Sequence, residues 1–78
     1  ANLRKHGIAF EDALTVLYDD NAIAVMDQRD DETRVVRIGA DAPGRILVIV
    51  YAFRGTTFRM ISARRATARE RRRYSEGR

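Results

Sequence analysis

The sequence predicts an α+β fold with two N-terminal helices, a four-stranded antiparallel sheet and a short basic C-terminal helix. Three patterns support this prediction. An apolar stripe with helical spacing stands near the start, and short apolar or alternating stretches with brief polar connections follow it. A capping-box pattern stands close to the end. Because the connections between the strands are short, we expect an antiparallel meander within one domain of residues 1–78.

The N-terminal part predicts both helices. The segment ANLRKHG resembles the end of a helix, with Lys5 and His6 in the last turn and Gly7 as its stop. IAFEDALTVLYDD predicts the second helix. Four of its apolar residues follow the i, i+3, i+4, i+7 spacing: Phe10, Ala13, Leu14 and Leu17. We expect this stripe to cover one face of the sheet.

Four segments predict strands: AIAVMD, TRVVRIGA, ILVIVYAF and TFRMISA. The third is apolar throughout, which is typical of a central strand covered on both faces. The acidic stretch QRDDE between the first two segments predicts a solvated loop. We expect Arg37 and Arg59 to project from the sheet face that the second helix leaves open.

The last segment predicts a polar helix. Thr67 and Glu70 have the spacing of a capping box, so the helix should begin at Ala68 and run to about Tyr74, with Gly77 beyond it. One side of this helix collects the residues Glu70, Arg73 and Tyr74, with Arg69 and Arg72 nearby. Because it has few apolar residues, burial contributes little to its stability.

The charge is strongly polarised along the chain. Residues 1–33 carry three basic and eight acidic side chains (−5), whereas residues 34–78 carry twelve basic and three acidic ones (+9). Nearly all of these cations are arginines, whose planar fork suits phosphate. The alternative is that the genome favours arginine codons. The presence of a single lysine, Lys5, agrees with this alternative. Composition leaves both explanations open.

The composition also excludes several kinds of site. The chain has no cysteine and one histidine, so a disulfide framework and a thiolate metal site are excluded, and we expect no metal and no cofactor. No apolar run approaches the roughly 18 residues of a membrane helix. We therefore expect a cytoplasmic protein without a membrane partner.

Three motifs resemble one family over essentially the whole chain. NLRKHGIAFEDA stands near the start, VRIG is followed by GRILVIVY, and RMISARRATARERRRYSEG completes the chain. The order and spacing of KHG-I-x-F, R-x-I-S-A-R and A-T-x-x-E-R-x-x-Y resemble the BrnT family of bacterial type II toxins. Family members usually carry a strand with an E-W-D-like sequence before these motifs. It is missing here, so we expect an uncovered sheet edge.

The resemblance implies a RelE-like ribonuclease fold and an activity that cleaves RNA, inhibits translation and arrests growth. It also implies neutralisation by a DNA-binding antitoxin of the BrnA type, and the complex would repress its own operon. Operator DNA would then be contacted only through the antitoxin, and a toxin dimer within the complex is compatible with this arrangement. The alternative is a non-catalytic basic module that binds RNA or an acidic protein partner.

Metal-independent RNA cleavage proceeds by attack of the 2′-hydroxyl on the adjacent phosphate, and needs a base, an acid and positive charge. His6 is the one side chain whose ordinary pKa lies near neutrality. It can serve as base or acid with Lys5 as electrostatic stabiliser, or both can be helix-end residues favoured by the helix dipole. Glu70 can be the capping residue, a base, or a group that orients Arg73 or Tyr74. Tyr74 can donate a proton, stack on a base or anchor its helix.

Arginines are the remaining candidates. Arg59 and Arg64 are predicted in the catalytic site, where the helix N-terminus after Arg64 can add to phosphate binding. Salt bridges to the acidic first half are the alternative for both. A further set is predicted to attract the RNA backbone: Arg37, Arg65, Arg69, Arg72 and Arg73.

Overall fold

The computed structural model describes residues 7–77 and has the α+β organisation expected. Its elements follow in chain order: α1 (Phe10–Thr15), a 3-10 turn (Val16–Tyr18), β1 (Ile23–Arg29), β2 (Glu32–Ala40), β3 (Ile46–Arg54), β4 (Thr57–Arg65) and α2 (Ala68–Glu76). The four strands form one antiparallel sheet in the order β1-β2-β3-β4. The predicted meander is therefore confirmed.

The prediction of two N-terminal helices is wrong, because one short α-helix, α1, precedes the sheet in the described residues. The helix predicted to end at His6 falls on residues 1–6, outside the described range. The second predicted helix begins late, at Phe10, because Ala9 is extended (φ −71°, ψ 146°). Ile8, predicted as helical, is 1% exposed within the core. Burial of this side chain favours an extended entry into α1 over another helical turn.

The loop predicted at QRDDE is mostly strand. β1 continues to Arg29 and β2 begins at Glu32, so the turn is confined to two residues, Asp30 and Asp31. Opposite charges face each other across this hairpin, with Asp27 paired to Arg34 and Arg29 to Glu32. Opposite charges that face each other across two strands favour the pairing of polar residues, and the ion pairs themselves join Arg29 to Asp27 and Arg34 to Glu32 along each strand. The prediction made the loop too long because it relied on polarity alone.

α1 packs on one face of the sheet, which we call the α1 face. The core beneath it contains nine buried residues: Ile8, Ala13, Val16, Val35, Leu47, Ile49, Tyr51, Met60 and Ala63. The opposite face, which we call the α2 face, carries a smaller cluster formed by Ile38, Val48, Ala66 and Tyr74. α2 covers one end of this second face only. β3 is thus covered on both sides, as its apolar sequence predicts.

A β-bulge in β4 decides which arginines share a face. Met60 pairs with Tyr51 and Ser62 pairs with Val50, so Ile61 is an extra residue on β4. Beyond the bulge the alternation of side chains is reversed. Arg59 pairs with Ala52 and Arg64 pairs with Val48, which places both arginines on the α2 face. Simple alternation would have placed them on opposite faces.

Arg37 lies on the other side of the sheet. It pairs with Ile49, whose side chain belongs to the α1 core. Its guanidinium donates hydrogen bonds to the carbonyl oxygens of Val16 (3.4 Å) and Asp19 (3.3 Å) at the end of the 3-10 turn. The expectation that Arg37 and Arg59 project from the same open face is therefore wrong, because α1 and its turn lie over Arg37.

Candidate nucleic-acid interface

The junction between β4 and α2 contains the capping box that the sequence predicts. The Thr67 hydroxyl accepts a hydrogen bond from the Glu70 N–H (3.2 Å), and the Glu70 carboxylate accepts one from the Thr67 N–H (2.8 Å). Two of the otherwise unpaired N–H groups at the start of α2 are thereby satisfied. This box fixes the Glu70 side chain next to the end of β4.

Arg64 and Glu70 form a bidentate ion pair at this junction. Nη1 and Nη2 of Arg64 donate to Oε1 and Oε2 of Glu70, both at 2.8 Å. Nη1 also donates to the carbonyl oxygen of Arg65 at 3.2 Å. These bonds use three of the five guanidinium N–H groups. Counting contacts within residues 7–77, Nε–H and one N–H of Nη2 remain available, and 41% of the side chain is exposed.

The ion pair strongly favours the charged forms of both groups. The hydrogen bonds from Arg64, followed by that from the Thr67 N–H, lower the pKa of Glu70 to about 2. The hydrogen bond to Glu70 in turn raises the pKa of Arg64. A carboxylate with so low a pKa is a weak base. The geometry therefore favours Glu70 as the group that orients Arg64 rather than as a proton acceptor.

We expect Glu70 to make stability depend on pH. Its folded pKa of about 2 lies below the ordinary 4.5, so its contribution is complete above about pH 5 and is lost as the pH falls through the folded pKa. Glu70→Gln cannot titrate, so its urea midpoint should fall less steeply between about pH 5 and pH 2 than the parent's. Equal slopes in parent and variant would contradict the assignment.

A groove of about 260 Å³ lies beside this ion pair, between α2 and the first three strands. Its floor is apolar and comes from the strands, while α2 contributes charged side chains. The lining residues are Ile23, Ala24, Val25, Val36, Ile38, Val48, Arg64, Glu70 and Arg73. Arg73, which was predicted to attract RNA, therefore shares one concave surface with Arg64.

Arg59 lies farther along the α2 face and is open to solvent. Its side chain is 64% exposed, and Nη2 stands 3.9 Å from a carboxylate oxygen of Glu32. Arg34 and Arg54 each approach the same carboxylate to 3.9 Å. Arg54 also approaches Asp31 to 3.3 Å, so three arginines meet two acids here, and such exposed pairs add little stability. The cluster keeps a net positive charge that is available to a polyanion.

Tyr74 is buried, with 6% of its surface exposed, and it packs in the second apolar cluster. Its hydroxyl donates a hydrogen bond to Oδ2 of Asp19 at 2.7 Å. Among its predicted roles, this environment favours the anchor that holds α2 on the sheet. A buried hydroxyl already engaged with a carboxylate is poorly placed to meet a phosphate.

Asp19 is the residue at this site that the sequence analysis missed. Its Oδ2 also accepts from the Ala40 N–H (2.7 Å), at the point where β2 extends beyond its neighbour β1. Partial burial alone would raise the pKa of Asp19, but hydrogen bonds from Ala40, Tyr74 and Asn21 and the charge of Arg37 lower it overall. Gly39 allows this close packing, since a Cβ there would lie 2.9 Å from the Cβ of Ala22, 3.0 Å from Cγ1 of Val16 and 3.1 Å from Oδ2 of Asp19.

The other arginines of α2 face solvent. Arg69 and Arg72 are exposed, and Arg65 is exposed at the end of β4 opposite Leu47, on the α1 face. Arg71 donates to the carbonyl oxygen of Ala66 at 3.0 Å, which helps to hold the start of the helix. Arg69 and Arg72 are therefore accessible to a diffuse polyanion, whereas Arg65 belongs to a different surface.

Two predicted catalytic residues, Lys5 and His6, lie outside the described residues. Within residues 7–77 no three histidine, cysteine or acidic side chains are grouped as they would be to hold a metal ion. The same part of the chain has no helix long and apolar enough to span a membrane.

Comparison with protein families identifies a match over most of the chain. A family model described as "Ribonuclease toxin, BrnT, of type II toxin-antitoxin system" matches residues 1–70 of the 78-residue chain. A search of curated proteins gives no match to this chain. The matched range includes the KHG motif, the end of β4 and Glu70.

Proposed function

This chain belongs to the BrnT family of ribonuclease toxins of type II toxin–antitoxin systems, and we propose that it cleaves RNA on its α2 face without a metal ion. The observation that supports this proposal is the bidentate pair of Arg64 and Glu70 at the start of α2. This pair holds the Arg64 guanidinium at the mouth of a concave, basic surface, and two of its N–H groups are available to a phosphate.

The roles of the groups follow from the chemistry of 2′-hydroxyl attack. As the hydroxyl oxygen attacks phosphorus, negative charge grows on the phosphoryl oxygens, and a fixed cation stabilises that charge most when it need not move. Glu70 holds Arg64 in place for this task. Arg59 and Arg73, on the same face, attract the flanking phosphates. The bond to the 5′-oxygen of the next nucleotide then breaks.

Proton transfer needs other groups. Arg64 stays protonated, and the Glu70 carboxylate is a weak base because its pKa is about 2. His6 is the residue whose ordinary pKa suits a base or acid near neutral pH. Lys5 beside it supplies further positive charge. We assign these roles to His6 and Lys5 on the strength of the KHG motif, and Tyr74 is kept as an anchor.

A type II toxin has a protein antitoxin. We propose that the partner here is of the BrnA type, a DNA-binding protein through which the complex reaches operator DNA. The basic half of the chain carries a net charge of +9, which suits an acidic antitoxin segment as well as RNA. Neutralisation by competition for the arginines of the α2 face would follow from this overlap.

The first experiment is cleavage of an end-labelled single-stranded RNA by the purified chain in EDTA, without ribosomes. We expect cleavage, with 2′,3′-cyclic phosphate or 3′-phosphate ends, since the attacking oxygen is the RNA's own. Products with 5′-phosphate ends, or cleavage that requires added Mg²⁺, would contradict the mechanism. Salt-sensitive binding without any cleavage would favour the non-catalytic binding module instead.

A further inference from the structure

The groove beside Arg64 has an apolar floor that residues 7–77 leave partly uncovered. Val25 and Val36 pair across β1 and β2, and they are 66% and 41% exposed. Ile38 and Val48, which are 8% and 4% exposed, continue the same floor beneath α2. A paired valine ordinarily stabilises a sheet by being covered. An uncovered apolar surface that continues a core is typical of a binding surface.

The rim of this floor is positively charged. Arg64 and Arg73 line the groove, and among its lining residues within 7–77 the one carboxylate, that of Glu70, is already paired with Arg64. A ligand that fits must therefore combine an apolar, flat portion with a negative charge close beside it. A nucleotide has both features, because its base and its phosphate are joined through one sugar.

The size of the groove limits the ligand to a single base. Its volume of about 260 Å³ lies just below the roughly 300–1,000 Å³ typical of sites for larger organic ligands. A base can enter only if it is unstacked, as in single-stranded RNA, because duplex RNA covers the base faces. Val25 is 66% exposed and lies on β1 at the edge of the sheet, so such a base can enter the groove from that edge.

We propose that this groove binds one unstacked nucleobase of single-stranded RNA, with the base against Val25 and Val36 and its phosphate on Arg64 and Arg73. The inference rests on the proposed function, since it assigns the substrate strand to the α2 face. It adds that the protein recognises a base as well as the backbone.

The test compares two oligonucleotides. A short fluorescein-labelled 2′-O-methyl RNA, which resists 2′-hydroxyl attack, is titrated by anisotropy beside the same backbone lacking its bases. We expect Val25→Ser/Val36→Ser to bind the complete strand about tenfold more weakly than the parent. The same variant should bind the base-free strand as tightly as the parent does. The salt dependence should stay unchanged in this variant, whereas Arg73→Ala should lower the slope by about one.

Met26→Ser is the matched control. Met26 lies beside Val25 on β1 and is 70% exposed, but it pairs with Val35 on the α1 face. It should bind the complete strand as the parent does, and circular dichroism melts should show both variants folded. If the valine variant does not fold, the single change Val25→Ser on the edge strand provides the same comparison.

Three results would overturn the inference. The valine variant could bind the complete strand as tightly as the parent, or it could lose the base-free strand to the same degree. It could also keep its RNA affinity while losing the antitoxin, which would assign the groove to a protein partner. The RNA cleavage assay is independent of these outcomes. If the parent cleaves RNA and the two serine substitutions leave RNA binding unchanged, the base site alone is rejected. If the parent neither cleaves nor binds RNA, the proposed function is rejected as well.

Discussion

Arg64→Ala should lower RNA cleavage by at least about 100-fold, which is the usual loss when one fixed donor to a developing oxyanion is removed. The fold should remain, because the Arg64–Glu70 pair lies at the surface, where 41% of the Arg64 side chain is exposed and water can replace its contacts to Glu70. Glu70 keeps its hydrogen bond from the Thr67 N–H, so the capping box survives. Cleavage is measured on an end-labelled RNA, and folding by a thermal melt.

Two further variants make this result specific. Arg64→Lys keeps the charge but loses the bidentate geometry, so we expect it to recover little activity. Arg29→Ala removes the same charge from the exposed hairpin, where Arg29 contacts Asp27 and is 84% exposed. It should cleave within a few-fold of the parent. Full activity of Arg64→Ala, or loss of its folded state, would reject the role of Arg64.

Tyr74→Ala should destabilise the protein by about 3–5 kcal/mol, which is typical of deleting a buried aromatic side chain. A domain of 78 residues has a total stability of only about 4–12 kcal/mol, so this loss would be a quarter of it or more. The melting temperature should fall by at least about 12 °C. Because Tyr74 holds α2 on the sheet, cleavage should be lost together with the folded state.

Tyr74→Phe separates the anchor from a catalytic hydroxyl. It keeps the ring in the cluster and removes the hydroxyl that donates to Asp19, and the loss of that hydrogen bond should cost about 1.5–3 kcal/mol because the acceptor is charged. At a temperature where it is folded, cleavage should stay within a few-fold of the parent. A folded Tyr74→Phe protein with no cleavage would instead identify the hydroxyl as a proton donor.

Local patterns predicted much of the fold and part of the site. The sequence correctly predicted the capping box of Thr67 and Glu70 and the start of α2 at Ala68. These features depend on two residues three positions apart, so a short stretch of sequence is enough to define them. The helix before the sheet was less predictable. Ile8 stands within the segment that was predicted as helix, but it is buried in the core ahead of α1, which begins at Phe10, because burial outweighs helix propensity there.

Contacts between distant residues could not be predicted in the same way. Tyr74 and Asp19 are 55 positions apart, and no spacing in the sequence relates them. A buried tyrosine needs a partner for its hydroxyl, which was the one available signal. The role of Arg37 depended in the same way on where the 3-10 turn would lie above β2.

The sequence by itself determined the strand segments, the capped basic helix, the polarised charge and the family of this chain. Each of these depends on residues near one another or on an ordered set of motifs. The tertiary structure alone decided which arginines act together. The extra residue Ile61 brings Arg59 and Arg64 to one face, because the direction of a side chain in a sheet depends on pairing with the neighbouring strand, and a single bulge reverses it.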